Sequence, residues 1–297
     1  LIVMEGLVSI GLAYFISRLI SKPIEEIHDI IASINEENIE TKRLIIPKKN
    51  DEFAIVSQQF NELLDKISFY IAQQKHFVED VSHELRTPVA IVEGHLKLLN
   101  RWGKDDPEVL EESLTASLAE IKRMKTLVQE MLDLSRAPQV REQYKDAKTE
   151  VVATLEQIVT NFKMLYPDFT FIADIDTKKE IISPIYRNHL EQVIIILLDN
   201  AVKYSTDRKE IIVSLSPTTE AVEIGIQDFG MGLTEEDKKK VFSRFYRVDK
   251  ARSRERGGNG LGLSIAKELI EGYNGKISLT SRLNHGSLFK VKLPIEK

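Results

Sequence analysis

The chain has 297 residues, 41 basic against 46 acidic, a formal charge of −5 and no cysteine. At roughly 150 residues per domain it holds at least two, and its 42% hydrophobic content supplies ordinary cores rather than a disordered chain. The acidic balance argues against a nucleic-acid partner, and the missing cysteines exclude disulfides, thiolate zinc sites and a cysteine nucleophile.

Residues 1–20 are apolar apart from Glu5 and Arg18, over about the length a bilayer requires. The stretch reads as the end of a membrane helix in a longer protein, with Arg18 and Lys22 on the cytoplasmic side. A buried soluble helix is the alternative, because Glu5 is costly in lipid. Next, Ile24, Ile27, Ile31 and Ile34 form one stripe; after a polar connector through Pro47 to Asn50, Phe53, Val56, Phe60, Leu63 and Ile67 form another. Short helices with such stripes cannot bury them alone, so a homodimer is expected. Pro23 at the start of the first helix and Asp51-Glu52 at the start of the second resemble the HAMP linker domain of membrane receptors.

From Phe77, apolar residues recur at Val78, Val81, Leu85, Val92 and Leu99, the seam of a helix packed along a partner helix. His83 falls between seam positions and points away from the packed side, whereas His95 falls on the seam. An exposed histidine on a rigid helix suits a nucleophile. Glu84 beside it can accept the ring proton, fixing the tautomer and raising nucleophilicity. Thr87, one turn on, shares its face and can hold a water near it, and Pro88 tends to bend the helix there. The helix ends near Trp102-Gly103; Asp105-Asp106-Pro107 then starts another, carrying Leu110, Leu114, Leu118, Ile121, Val128 and Leu132 on one side. Two such hairpins make a four-helix bundle.

Pro138 closes this helix, and a polar linker runs to about Lys148. Beyond it helical and strand-like patterns mix: helices over VVATLEQIVTNFKMLY and RNHLEQVIIILLDNAVKYS, a strand over DFTFIADI, a strand pair at EIIVSLSP and AVEIGIQDFG, and a closing hairpin at KISLTSR and GSLFKVKLP. That is an α+β two-layer sandwich.

Four clusters in this domain have the chemistry of a nucleotide site. Asn200 offers an amide oxygen suited to Mg²⁺, Lys203 an ammonium for phosphate, and Tyr204 a ring to cover a base. In Asp228-Phe229-Gly230-Met231-Gly232 the glycines let backbone approach a flat ligand, and a buried carboxylate can accept from an exocyclic amine such as adenine's. In VFSRFYR, Phe242, Phe245 and Tyr246 beside Arg244 and Arg247 suit either a loop anchor or a core patch. Gly258-Asn259-Gly260-Leu261-Gly262-Leu263 leads into a helix whose first backbone N–H groups can bind phosphate. The charged DKARSRERGG before it has the composition of a lid. Neither a dinucleotide fingerprint nor a GxxxxGK[ST] phosphate loop is present.

HELRTP, LLDNAVKYS, DFGMG, FSRFYR and GNGLGLSIA, in this order, resemble the sensor histidine kinases of two-component systems. The resemblance implies a membrane helix over 1–20, a HAMP domain over 21–73, a dimerisation and phosphotransfer hairpin over 74–138, a linker over 139–148 and a Bergerat-type ATP-binding domain over 149–297. It implies His83 as phosphoacceptor, Glu84 as its activating acid, and Thr87 at the position linked to dephosphorylation of the partner. It further implies Asn200 as Mg²⁺ ligand, Lys203 as phosphate contact, Tyr204 in the adenine pocket and Asp228 as reader of the adenine amine with Gly230 and Gly232. Gly258, Gly260, Leu261 and Gly262 belong to the phosphate-facing loop. The implied activity is ATP-dependent autophosphorylation at the cell membrane and transfer to an aspartate on a response regulator receiver domain, with possible dephosphorylation of that regulator. A Bergerat-type ATPase and a non-enzymatic dimeric scaffold are the competing functions. One position departs from the family pattern: a second asparagine often stands one turn before Asn200, where this chain has Ile196.

Overall fold

The structure is a computed structural model that describes all residues except 1, 18–20, 36–37, 47–51, 138–139, 176, 178, 249–257 and 297. Among expected features, Arg18, Pro47 to Asn50, Asp51, Pro138 and nearly all of the DKARSRERGG stretch lie outside the described residues. The chain divides into two compact units, Leu1–His83 and Glu84–Lys297.

The first unit is helical. Helix α1 (Ile2–Ile16) is apolar and exposed, with Met4, Leu7, Ile10 and Phe15 all more than half accessible. Its 15 residues span about 22 Å at ~1.5 Å per residue, less than the ~30 Å of a bilayer core. Among the described residues no helix is long and apolar enough to cross a membrane. Helix α2 (Lys22–Ala32) has Pro23 in its first turn, where a missing N–H costs nothing. The chain then returns along α3 (Glu52–Arg101): Ile39 O accepts from Ser68 Oγ at 3.0 Å, Arg43 pairs with Asp65 at 2.6 Å, and Asn61 bonds both the N–H and the carbonyl of Leu44. The connector therefore runs antiparallel to α3.

The buried face of α3 in this unit is Ala54, Ser57 and Leu64, not the expected stripe. Val56, Leu63 and Ile67 stay 49%, 49% and 37% exposed. A similar displacement recurs on α4 (Pro107–Arg136) of the second unit. Ser113, Ser117, Leu127 and Leu134 are buried there, while Leu114, Leu118, Ile121, Val128 and Leu132 of the expected seam are exposed. Helix α4 is capped as expected, Asp106 accepting from the N–H groups of Glu108 and Val109 with Pro107 at the first position.

The expected linker is not wholly irregular. A one-turn helix α5 (Val140–Gln143) seats Val140, 2% exposed, and Tyr144 stacks on Tyr186 at 4.4 Å. After it a short strand β1 (Thr149–Glu150) pairs antiparallel with β3 (Ile182–Ser183). Between them come α6 (Val151–Leu165) and β2 (Thr170–Ile175). Then follow α7 (Arg187–Tyr204), β4 (Glu210–Pro217), β5 (Ala221–Asp228), α8 (Glu235–Lys240), α9 (Gly262–Gly272), β6 (Lys276–Arg282) and β7 (Gly286–Pro294). The main sheet has the order β2-β4-β5-β7-β6, parallel only between β2 and β4.

Strand alternation aims Ile211, Val213 and Leu215 of β4 and Val222, Ile224 and Ile226 of β5 into one core. Against them lie Leu190, Val193, Ile194, Leu197 and Leu198 of α7 and Ile265, Ala266, Leu269 and Ile270 of α9. Each large side chain so buried contributes about 1.5–3 kcal/mol relative to exposure. The register pairs Ile211 with Asp228, so Asp228 sits at the C-terminal end of a central strand, beside the end of α7.

Candidate active site

Helix α3 continues without a break through Pro88. Proline has no N–H to give the carbonyl four residues back, so the carbonyl of Glu84, next to His83, lacks its usual helical donor. His83 and Thr87 are exposed, Glu84 is half-buried and Pro88 is buried. The seam therefore holds the helix by Pro88 and the half-buried Val81, Leu85 and Val92 and leaves the imidazole in solvent.

The second feature is a cavity of about 250 Å³ whose lining includes Asn200, Lys203, Tyr204, Asp228, Gly232, Gly258, Gly260 and Gly262. Helix α7 supplies the first three from its last two turns, and β5 delivers Asp228. Asp228 is 4% exposed, and its Oδ1 accepts from the Gly230 N–H at 2.9 Å. Burial pushes its carboxyl above the usual range, against the hydrogen bonds from the backbone of Gly230 and Ser287. Gly230 does not line the cavity; it lets the turn after β5 press on α7, since a Cβ there would lie 2.0 Å from the Tyr204 carbonyl oxygen. At Gly258, φ is +141° and a Cβ would meet Lys203 Nζ at 2.5 Å, so the loop backbone and the ammonium share one end of the cavity. Leu261 is fully buried and serves as packing beneath the loop.

Of the two readings of VFSRFYR, the packing patch has a counterpart, and the loop that the other would anchor lies outside the described residues. Phe242 packs edge-on against Phe289 at 6.3 Å, and Phe289 lines the cavity. Tyr246 donates to Asp237 Oδ1 at 2.7 Å, which with burial pushes its phenol up to about 12. Arg247 reaches the cavity and Arg244 pairs with Glu268. Ile196 is half-buried and lines the cavity, its Cγ2 facing Gly262.

Glu130 of α4 also lines the cavity, unforeseen in the sequence. Its Oε2 accepts from Asn259 Nδ2 at 3.1 Å, while Asn259 Oδ1 meets Arg123 Nε at 3.5 Å. Burial pushes the Glu130 carboxyl up, opposed by the Asn259 bond and the charge of Lys203. Nothing local marks Glu130, one more carboxylate on an amphipathic helix; only the seating of α4 on the glycine loop singles it out.

Residues 73–139 match the His Kinase A phospho-acceptor domain, and residues 186–297 match the histidine kinase-, DNA gyrase B- and HSP90-like ATPase family. The chain is 37% identical over 281 residues to the signal transduction histidine-protein kinase ArlS of Staphylococcus haemolyticus, covering 95% of this chain and 62% of that protein. The chain belongs to the sensor histidine kinases of two-component systems. It spans somewhat less than two thirds of the length of the curated histidine kinases it matches. Two solved histidine kinases share its fold. One is AdeS of Acinetobacter baumannii, with TM-score 0.55, 24% identity and coverage of 72% of this chain and 98% of that one. The other is ThkA, solved in complex with the response regulator protein TrrA, with TM-score 0.59, 22% identity and coverage of 76% of this chain and 63% of that one. The nucleotide-binding half of the kinase family is thus represented here by the β4–β7 sheet and its helices.

Proposed function

We propose that the chain is the signalling core of a membrane-anchored protein-histidine kinase that phosphorylates His83 with ATP and passes the phosphoryl group to an aspartate of a response regulator. The observation that carries this is the pairing, in one chain, of an exposed histidine on a phospho-acceptor helix with a glycine-lined cavity ending in a buried carboxylate. Asp228 accepts the adenine amine, Tyr204 covers the base, and Lys203 with the Gly258–Gly262 backbone holds the phosphates. A ring nitrogen of His83 attacks the γ-phosphorus; the new P–N bond forms as the bond to the bridging oxygen breaks and ADP departs. Glu84 takes the proton from the other ring nitrogen.

The donor set suits Mg²⁺, which keeps several waters and binds through few protein oxygens plus substrate phosphates. Among the described residues no cluster of three or more acids or histidines could cage a metal, and the amide oxygen of Asn200 on the cavity wall is the ligand we assign. Bound there, Mg²⁺ would offset the negative charge of the phosphates. Ile196 lines the same wall and offers no ligand atom, and a water could take the place of the family's second amide there. Ile196→Asn is expected to lower the Mg²⁺ concentration for half-maximal autophosphorylation several-fold, with little change in melting temperature. Unchanged metal dependence with a clear drop in melting temperature would make Ile196 packing alone.

The apolar stripes left exposed on α3 and α4 support a homodimer, and the connector running antiparallel along α3 supports a HAMP assignment. The apolar, exposed α1 is consistent with membrane anchoring in a longer protein. A regulator partner is supported by the solved complex of ThkA with the response regulator protein TrrA. Thr87, exposed one turn from His83, is assigned to the opposing reaction, hydrolysis of the regulator's phosphoaspartate, positioning water against it. Thr87→Ala is therefore expected to leave autophosphorylation largely intact and slow dephosphorylation of the regulator; the opposite pattern would make Thr87 structural. The whole reading is tested with ATP labelled on the γ-phosphate: acid-labile, base-stable label on the chain supports it, and ATP binding without such label would refute it.

A further inference from the structure

Helix α4 belongs to the phosphotransfer hairpin, yet it places a carboxylate in the wall of the nucleotide cavity. Glu130 holds the side-chain amide of Asn259, the residue between Gly258 and Gly260, and Arg123 meets the other end of that amide. Asn259 is 5% exposed, so its amide is spent on α4. A second link on the same helix, Gln192 Nε2 to Asp133 Oδ2 at 2.7 Å, ties α7 to α4 one turn further along.

We propose that Glu130 is an autoinhibitory gate: its carboxylate occupies the loop end of the cavity as an internal anion, and a triphosphate must displace it. The inference rests on the kinase reading above and adds to it a competitor supplied by the chain itself. The donors at that end are the Asn259 amide, the backbone of the loop entering α9 and the Lys203 ammonium beside Gly258. All of them attract anions, and a carboxylate and a phosphate cannot share them without like-charge repulsion in a partly desolvated cavity. Phosphate entry therefore frees Asn259 from α4 and detaches the glycine loop from the phosphotransfer hairpin. Nucleotide binding and the release of the domain become one event.

The test is calorimetric titration of the full chain with ATP, ADP and adenosine in the unsubstituted protein, Glu130→Gln and Glu130→Lys. Gln is nearly isosteric and its carbonyl can still accept from Asn259, so only the charge changes. ATP affinity is expected to rise about fivefold with Gln and further with Lys, on the scale of one like-charge contact removed from a polar protein surface. ADP should follow with a smaller rise and adenosine should not change. Equal shifts for all three ligands, or none, would overturn the gate. A second measurement needs no folding comparison between charge variants. The chain has no cysteine, so Gln192→Cys with Asp133→Cys, which leaves Glu130 and Asn259 in place, reports the seating of α4 through disulfide formation. Saturating ATP is expected to slow that cross-linking several-fold and adenosine to leave it unchanged; an ATP-independent rate would overturn the gate. Failure of the unsubstituted chain to bind ATP would instead overturn the kinase reading and the gate with it.

Discussion

His83→Gln is expected to abolish incorporation of acid-labile phosphate while leaving ATP affinity unchanged. Glutamine is close to histidine in length and polarity but has no nucleophilic ring nitrogen, so the bond-forming step loses its electron pair. Removal of a covalent nucleophile commonly costs more than about a thousandfold in rate. His83 is exposed, and the residues lining the cavity begin at Glu130, so neither packing nor nucleotide contacts are removed. Stability should stay within about 0.5 kcal/mol of the unsubstituted chain, as for other exposed positions free of special contacts. The measurement is labelling with γ-labelled ATP alongside calorimetry on the same sample. Two other histidines on α3 are the alternatives. His76 is exposed and lies 3.6 Å from Glu79, and His95 is half-buried on the seam. Label that survives in His83→Gln and maps to either would remove the assignment.

The elements were legible where a local rule sufficed. Asp106-Pro107 announced the start of α4 because capping is read within three residues, and Ile211, Val213 and Leu215 announced β4 because alternation is read within five. The grouping of Asn200, Lys203, Asp228 and the glycines into one cavity follows from motifs separated by tens of residues, and the sheet register brings Asp228 to the end of α7 as those motifs require. What the sequence hid was of two kinds. Periodicity locates an apolar stripe but not the surface it meets. On α3 the small Ala54 and Ser57 are buried while the large Val56 and Leu63 stay exposed, the reverse of a reading that gives each apolar residue equal weight. The other kind is contact at long range. Val140 and Tyr144 look like stray apolar residues in a polar linker until Gly272 and Tyr186 are seen beside them. Glu130 looks like any helical acid until the glycine loop closes on it.

Asp228→Asn is expected to weaken ATP binding by about a hundredfold or more while the domain remains at least as stable at neutral pH. The side chain is 4% exposed and has two tasks. One oxygen accepts from the Gly230 N–H at 2.9 Å, and an asparagine carbonyl can do the same, so the turn after β5 is preserved. The Ser287 backbone also bonds the carboxylate, and its remaining acceptor capacity is what we assign to the adenine amine. There the substitution sets an N–H donor against a donor and leaves both unpaired out of water. Loss of a hydrogen bond to a charged acceptor with such a mismatch amounts to roughly 3 kcal/mol, a little over two decades in affinity. Stability moves the other way. Burial raises the Asp228 carboxyl above its unfolded value, so the folded state binds the proton more tightly than the unfolded chain does. The favourable contribution is complete below the unfolded pKa of about 3.9 and is lost as pH rises through the higher folded value, so at neutral pH the buried charge is a net cost. Asparagine carries no charge and escapes that cost. Its melting temperature should therefore equal or exceed that of the unsubstituted chain at pH 7, and the difference should shrink as pH falls towards 4. Calorimetric affinity and melting curves at both pH values on one preparation separate the two tasks. Unchanged ATP affinity would remove Asp228 from the base-reading role. A melting temperature that drops at pH 7 would mean that the carboxylate is a structural acceptor first, and that its place at the end of β5 is explained by the turn rather than by the nucleotide.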